Sequence, residues 1–324
     1  MRSGFSVAAC VLFLLLASCT GALPPAASPA PTVDGASWRT LPGAPTARSE
    51  VAAASDGARI VVAGGFVADG LTVATVEIFD IEAETWSAGP DLPVAVNHPM
   101  AAGADGTVYV FGGYVGPGLE APTDRAFALG HDGWRELAPM PEPRAAGGAA
   151  AVDGRIYVAG GVGPQGLAGS MLVFDPGTGR WDTVDGPPTP REHLGVAGTS
   201  GHVYVMGGRT GGIGTNLNAA EAFDVGDGRW ITLPVMPTPR GGIAAGAGGG
   251  YVVAAGGEAD TTFAEAEAFD VEAARWVSLP AMSTPRHGLG VVAVGDVVYA
   301  IAGGEVPGLA VSNVVEAVDL GELG

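Results

Sequence analysis

Residues 144–181 read RAAGGAAAVDGRIYVAGGVGPQGLAGSMLVFDPGTGRW. A run of small residues, Ala145 to Val152, meets Asp153-Gly154, and the β-type run Ile156-Tyr157-Val158-Ala159 follows. Asp-Gly between two such runs is the strongest short-range hairpin signal. Gly160-Gly161 then leads into a loop, Met171 to Phe174 makes a third strand, Asp175-Pro176-Gly177 turns, and Trp181 begins a fourth. The stretch predicts four short antiparallel strands joined by tight turns.

The same unit recurs along the chain. Gly-Gly pairs stand at Gly64-Gly65, Gly112-Gly113, Gly160-Gly161, Gly207-Gly208, Gly256-Gly257 and Gly303-Gly304, spaced 48, 48, 47, 49 and 47. The six tryptophans, Trp38, Trp86, Trp134, Trp181, Trp230 and Trp276, are spaced 48, 48, 47, 49 and 46. Two residue types keeping one period mark a repeat architecture. A single four-stranded sheet cannot bury both faces, so neighbours must stack. Radial stacking predicts an all-β, six-bladed β-propeller over residues 38–324. Strands at the axis need small residues, and Gly147 to Ala150, Gly241, Gly242, Ala244 and Ala245 supply them. Each Trp is expected to fill the space between blades.

Counting residues also predicts how the ring closes. Six residues separate the Asp ending the third strand from the Trp of the fourth: Asp80 and Trp86, Asp175 and Trp181, Asp224 and Trp230, Asp270 and Trp276. After Asp319 the equivalent Trp would fall one residue beyond the end, while Trp38 has no third strand ahead of it. The Trp38 segment is therefore expected to supply the outer strand of the blade containing Gly303-Gly304, which removes an exposed sheet edge.

Composition narrows the function classes. With 54 Gly and 25 Pro in 324 residues, disorder is a natural concern, but 47% hydrophobic against 15% charged residues argues for a packed domain. A net charge of −19 excludes nucleic acid as a partner, because phosphate binding needs a basic surface. At the N-terminus Arg2 precedes an apolar run, Val7 to Ala17, of signal-peptide length. Leu16-Ala17-Ser18-Cys19 resembles a bacterial lipobox, which would make residues 1–19 a signal and Cys19 the lipidated residue. The alternative is an ordinary signal cleaved after Ala22, with Cys19 discarded. Either reading exports the protein; the first tethers it to a membrane through the lipid alone. Residues 20–37, with Pro24, Pro25, Pro29 and Pro31, are expected to form an extended spacer of ~50 Å at ~3.1 Å per residue. Cys10 and Cys19 are the only cysteines, so the domain has no disulfide, thiolate nucleophile or Cys metal site.

The unit Pro-Arg, small-residue strand, Ile-Tyr-Val, Gly-Gly, Glu-x-Phe-Asp, Trp resembles the Kelch repeat over residues 38 to about 320. Unit two departs most, with Asn97-His98 near the Arg register and Ala128 in place of the Asp. The resemblance implies a propeller that works through one face, built from the loops after Gly-Gly and the loops joining blades. It also implies a binding or scaffold role toward a protein, peptide or glycan, with no cofactor and a monomeric state. Copper chemistry of the galactose-oxidase type, which needs a Tyr–Cys cross-link, is excluded because the domain has no Cys. The enzyme alternative is a carbohydrate-active protein resembling sialic acid mutarotase, with Arg209, Glu258 and Glu305 in ligand and acid–base roles.

Candidate site residues follow two patterns. Arg48, Arg144, Arg191, Arg240 and Arg286 recur where the chain enters each blade. They either line one mouth as carboxylate binders or tie the scaffold together. Residues that break the repeat are more telling, since the scaffold does not demand them. Directly after Gly-Gly stand Phe66, Tyr114, Val162, Arg209, Glu258 and Glu305, a rim suited to a polar ligand such as a sugar. His98 and His193 share a register, each 14 residues before its Gly-Gly pair. They belong to nonadjacent blades, expected ~10–20 Å apart, so no metal is assigned to them.

Overall fold

The computed structural model describes residues 30–32 and 35–323. The signal segment and Cys19 lie outside the described residues. Six four-stranded antiparallel sheets make six blades. Blade three shows the pattern: Gly148–Val152 innermost, then Arg155–Ala159, Ser170–Asp175 and Arg180–Asp185 outward. Blade six is built from both ends of the domain. Arg39–Leu41 pairs with Val315–Asp319, aligning Arg39 with Ala317 and Leu41 with Val315. Each innermost strand neighbours those of the two flanking blades, and the strands beginning at Ala52 and Gly290 complete the circle.

The Gly-Gly pair works through its backbone. Gly160 has φ of +63°, and a Cβ there would sit 2.8 Å from the Arg191 carbonyl oxygen. Gly161 N–H donates to that same oxygen at 2.8 Å, joining blade three to blade four. Only glycine meets both demands without strain. In blade six the residue donating to the next blade is Gly303, whose N–H meets Arg48 O at 2.8 Å. The structural pair there is thus Ala302-Gly303, with φ of 58° and 98° beside 67° and 99° for Gly64 and Gly65. The Gly303-Gly304 register is one residue late. Correcting it gives a last spacing of 46, the same as the last tryptophan spacing.

Each tryptophan bridges blades through its indole N–H. The acceptors are the carbonyls of Pro280 for Trp38, Pro42 for Trp86, Pro90 for Trp134, Ala138 for Trp181, Asp185 for Trp230 and Pro234 for Trp276, all at 2.7–2.9 Å. Only Trp276 is buried; the other rings are half-buried, so they are clamps at the perimeter rather than core filler. The fully buried rings between blades are Phe79, Phe111, Phe174 and Phe269. Phe79, Phe174 and Phe269 each contact the Trp of their own blade with centroids 4.9–5.5 Å apart.

The proline-rich stretch is not wholly a free spacer. Pro31 O accepts from Ser278 N at 3.0 Å, Thr32 pairs in parallel with Ser278, and Ala36 is buried. These residues cover the outer edge of blade five, whose last strand, Arg275–Ser278, otherwise offers open backbone groups. Residues 30–32 and Ala36 are thus docked on the propeller rather than part of a free spacer.

Leu41 is the buried residue of the closing strand. Leu41→Ala is expected to lower stability by about 2–5 kcal/mol in urea unfolding while keeping one transition. An unchanged midpoint would show that the strand does not hold the ring shut.

Candidate functional site

Six backbone hydrogen bonds encircle the axis at one end of the channel. Glu50 N donates to Gly288 O (2.7 Å), His98 N to Glu50 O (3.0 Å) and Ala146 N to His98 O (3.1 Å). The circuit continues through His193 N to Ala146 O (2.8 Å), Gly242 N to His193 O (2.9 Å) and Gly288 N to Gly242 O (2.9 Å). Each blade contributes one residue, and all six have left-handed φ, from 51° to 70°. Glycine adopts that backbone freely, whereas Glu, His and Ala there are strained by on the order of 1–3 kcal/mol each. The ring bonds hold Glu50, His98 and His193 in that backbone, which sets their side chains at the axis.

Two further registers stand beside this ring. The preceding residues, Ser49, Asn97, Ala145, Glu192, Gly241 and His287, bridge to those after the glycine pair: Phe66, Tyr114, Val162, Arg209, Glu258 and Gly304. Blade three offers only Ala145, Ala146 and Val162. The other blades fill the three registers with polar groups that form a circuit. Glu50 Oε2 lies 3.1 Å from His98 Nε2, and the His98 and His193 rings meet edge-on with centroids 4.8 Å apart. His193 Nδ1 is 3.2 Å from Glu192 Oε2, and Glu192 Oε1 accepts from Arg209 Nε at 3.2 Å. Arg209 Nη1 donates to Glu258 Oε1 at 2.8 Å. Glu258 Oε2 is 3.6 Å from His287 Nε2, which is 3.7 Å from Glu50 Oε1. Tyr114 packs edge-on against His98, with centroids 5.7 Å apart.

Burial and mutual charge set the protonation states. Burial alone would raise the Glu50 carboxyl, but charge on His98, His193, His287 and Arg209 outweighs it and holds the group at about 2. Burial pushes His98 down to about 4, and His193 and Arg209 add to that against the pull of Glu50. Burial, with Glu192 adding, raises Tyr114 to about 12. Burial would also raise Glu192, but the adjoining His193 imidazole and the Arg209 guanidinium bring it below the usual carboxylate range.

The structure moves several expected residues. His98 and His193 touch, instead of standing ~10–20 Å apart. Their register lies on the axis, where blades two and four converge past the small Ala146. Glu305 is exposed and lies outside the circuit; the one-residue register shift puts Gly304 in its place, and the His287 ring fills the space a side chain at Gly304 would need. Arg209, Glu258 and Tyr114 do reach the axis.

The recurring arginines do not line a mouth. Arg48, Arg144, Arg191, Arg240 and Arg286 are fully buried. Four of them meet the Glu of the third strand: Arg48 with Glu77 (2.8 Å), Arg191 with Glu221 (3.1 Å), Arg240 with Glu267 (2.9 Å) and Arg286 with Glu316 (2.6 Å). Arg144, whose third strand carries Leu172 instead, uses Glu142 (3.0 Å) and the Ser170 carbonyl (2.7 Å). In blade two both partners are apolar: Val96 and Phe127 share one buried cluster. Phe127 holds the Glu position because Leu129, not Phe127, faces Trp134, which also moves the Asp equivalent from Ala128 to Gly130. The pair is a scaffold tie: blade two replaces both partners together, and blade three keeps the arginine with a carboxylate from Glu142 instead.

The sequence reading does not single out Glu50, Glu192 or His287. For Glu50 the signal is present: it stands 14 residues before Gly64, in the register of His98 and His193. Glu192 and His287 are neighbours of that register, and only the fold shows that adjacent registers face one ligand space. Inside the ring the innermost strands enclose a channel of about 260 Å³, lined by small residues, with Glu50, His98 and His193 at its floor.

These features define a six-bladed β-propeller with a polar, titratable axis. The Kelch motif family model matches residues 47–93, 143–188, 190–237 and 239–283, more than half of the chain. The protein belongs to the Kelch family. No curated protein matches it. Among solved structures it is similar to YjhT, at 18% identity and a TM-score of 0.73, covering 85% of this chain and 96% of that one. That likeness shows the fold alone.

Two outcomes test the roles assigned above. Arg240→Met leaves Glu267 buried without its cation and should cost about 3–5 kcal/mol, whereas Arg240→Met with Glu267→Leu should recover most of it. Equal losses in the single and double variants would contradict a coupled Arg–Glu tie. For pH, the His98 value in the fold lies below its unfolded value of 6.5, so the unfolded chain holds the extra proton between them. Stability should then fall as pH drops from about 6.5 to about 4. The Glu50 contribution, present above the unfolded carboxylate range, is lost further down toward about 2. In chelator-washed protein the urea midpoint should drop more from pH 7 to pH 4.5 for wild type than for His98→Asn; equal drops would count against it.

Proposed function

We propose that the protein is an exported, lipid-anchored binding module that takes a peptide or glycan segment on its loop face. The observation carrying this is where the exposed large apolar side chains lie. Leu71, Val115, Leu119, Val306 and Leu309 are all exposed, and all belong to loops after the glycine pair in three adjacent blades: six, one and two. Monomer surfaces seldom gather apolar groups this way without a partner. The loops themselves touch: Thr72 Oγ1 donates to Gly116 O of the next blade. The apolar crescent borders the polar axis, where Arg209 turns a guanidinium edge between Glu192 and Glu258. A segment with an apolar body and a polar or acidic group fits both parts. The signal-like segment and Leu16-Ala17-Ser18-Cys19 support export and anchoring.

A second reading, a carbohydrate-active enzyme, is favoured by one specific observation. Glu50 Oε2 and His98 Nε2 stand 3.1 Å apart on the axis, a carboxylate and an imidazole within proton-transfer reach of each other.

The two readings separate by experiment. Capture of envelope peptides and glycans should be lost on Leu71→Ser with Leu309→Ser, yet kept on Ile231→Ser with Val235→Ser, which alters exposed apolar residues elsewhere. Free sugars should not shift the melting temperature. A shift of several degrees with a sugar at about 100 Kd, equivalent to about 2.7 kcal/mol, would instead support the enzyme. If Tyr114→Phe abolished that shift and the crescent variant kept its capture, the binding-module account would be lost.

A further inference from the structure

The axial ring carries a second, smaller assembly whose hydrogen bonding is incomplete. Thr72 Oγ1 donates to Gly116 O, so it accepts from Asn97 Nδ2 at 2.8 Å. That fixes the Asn97 amide with Oδ1 toward His98 Nδ1, 2.7 Å away. Only a proton on Nδ1 makes this contact favourable. A neutral His98 then aims the bare lone pair of Nε2 at a Glu50 carboxylate oxygen 3.1 Å away. Two acceptors face each other, and a cation between them satisfies both. His193 Nδ1 is buried as well, and Glu192 Oε2, 3.2 Å away, lies outside hydrogen-bonding geometry, so this nitrogen too is left unsatisfied among the described residues.

We propose that Glu50, His98 and His193 bind a divalent first-row transition-metal ion of the zinc class at the floor of the channel. One ligand atom from each residue lies within 4.8 Å of the other two. Bonds of ~2.0–2.1 Å in a tetrahedron place ligand atoms about 3.3 Å apart, so the set closes by small side-chain tilts. Two imidazoles and one carboxylate suit zinc, cobalt or nickel, whereas calcium and magnesium require oxygen ligands throughout. Asn97, fully buried, is the outer partner that orients a metal-bound histidine through its other nitrogen. Ala146 between the two histidine blades, with Gly242 and Gly288 across the ring, keeps the space clear, and the channel gives an ion its way in. Three protein ligands leave a fourth position facing that channel, the arrangement that binds a water or a substrate atom. The inference goes beyond the binding-module reading and does not depend on it.

The test uses chelator-washed protein titrated with zinc by calorimetry and with cobalt by visible absorption. One ion per chain is expected, with cobalt giving the intense d–d bands of a tetrahedral site. Glu50→Gln, His98→Asn and His193→Asn should each weaken zinc binding at least 100-fold, and Asn97→Leu 10–100-fold. His131→Asn, on an exposed turn, should leave it unchanged. If wild-type protein takes up neither ion, Glu50 and His98 share a proton instead and the proposal fails. Binding that persists in the triple Glu50→Gln, His98→Asn, His193→Asn variant places the ion elsewhere and also overturns it. Should that variant not fold, the wild-type cobalt spectrum decides: octahedral, weakly absorbing cobalt contradicts the assignment.

Discussion

The hydrogen bond from Glu50 N to Gly288 O closes a loop that begins and ends at opposite ends of the domain, and the architecture depends on the six-membered circuit it completes. Each bond in the circuit requires left-handed backbone from the residue that donates it. That requirement sets the side-chain directions at the axis. A glycine there satisfies the scaffold alone, as in blades five and six. A Glu or His there brings its functional group to the point where all six blades meet.

The scaffold and the site therefore share a backbone but not side chains. Arg–Glu ties behind the ring hold the third strand of four blades to the segment leading into each blade, and they are fully buried. Burial lowers the arginine pKa values, opposed by the facing carboxylate, so the ties hold register at an electrostatic cost. Blade two, with Val96 and Phe127, shows that the same position accepts an apolar pair. By contrast, the axial residues differ from blade to blade, and that variation places polar groups in five blades while leaving blade three bare.

How much of this was legible in the sequence depends on whether the cause is periodic. Gly pairs and tryptophans repeat because every blade needs the same turn and clamp, so blade number and closure by the Trp38 segment could be counted. Blade six misled by one residue, since Ala302 takes a left-handed position that glycine usually holds and Gly304 supplied a false partner. The tryptophan spacing of 46 carried the right value. Convergence at the axis is not periodic. It follows from radial geometry, which brings His98 against His193 although 95 residues separate them. The buried role of the arginines was equally hidden, because recurrence fits either a rim or a tie until the facing Glu is located.

Amide hydrogen exchange, read residue by residue, tests the closed circuit most directly. The account predicts that the amides of Glu50, His98, Ala146, His193, Gly242 and Gly288 fall in the slowest class and exchange together, through global unfolding only. Fast exchange at Glu50 or Gly288 while the other four stay protected would show a ring open between its first and last blades, and would contradict it.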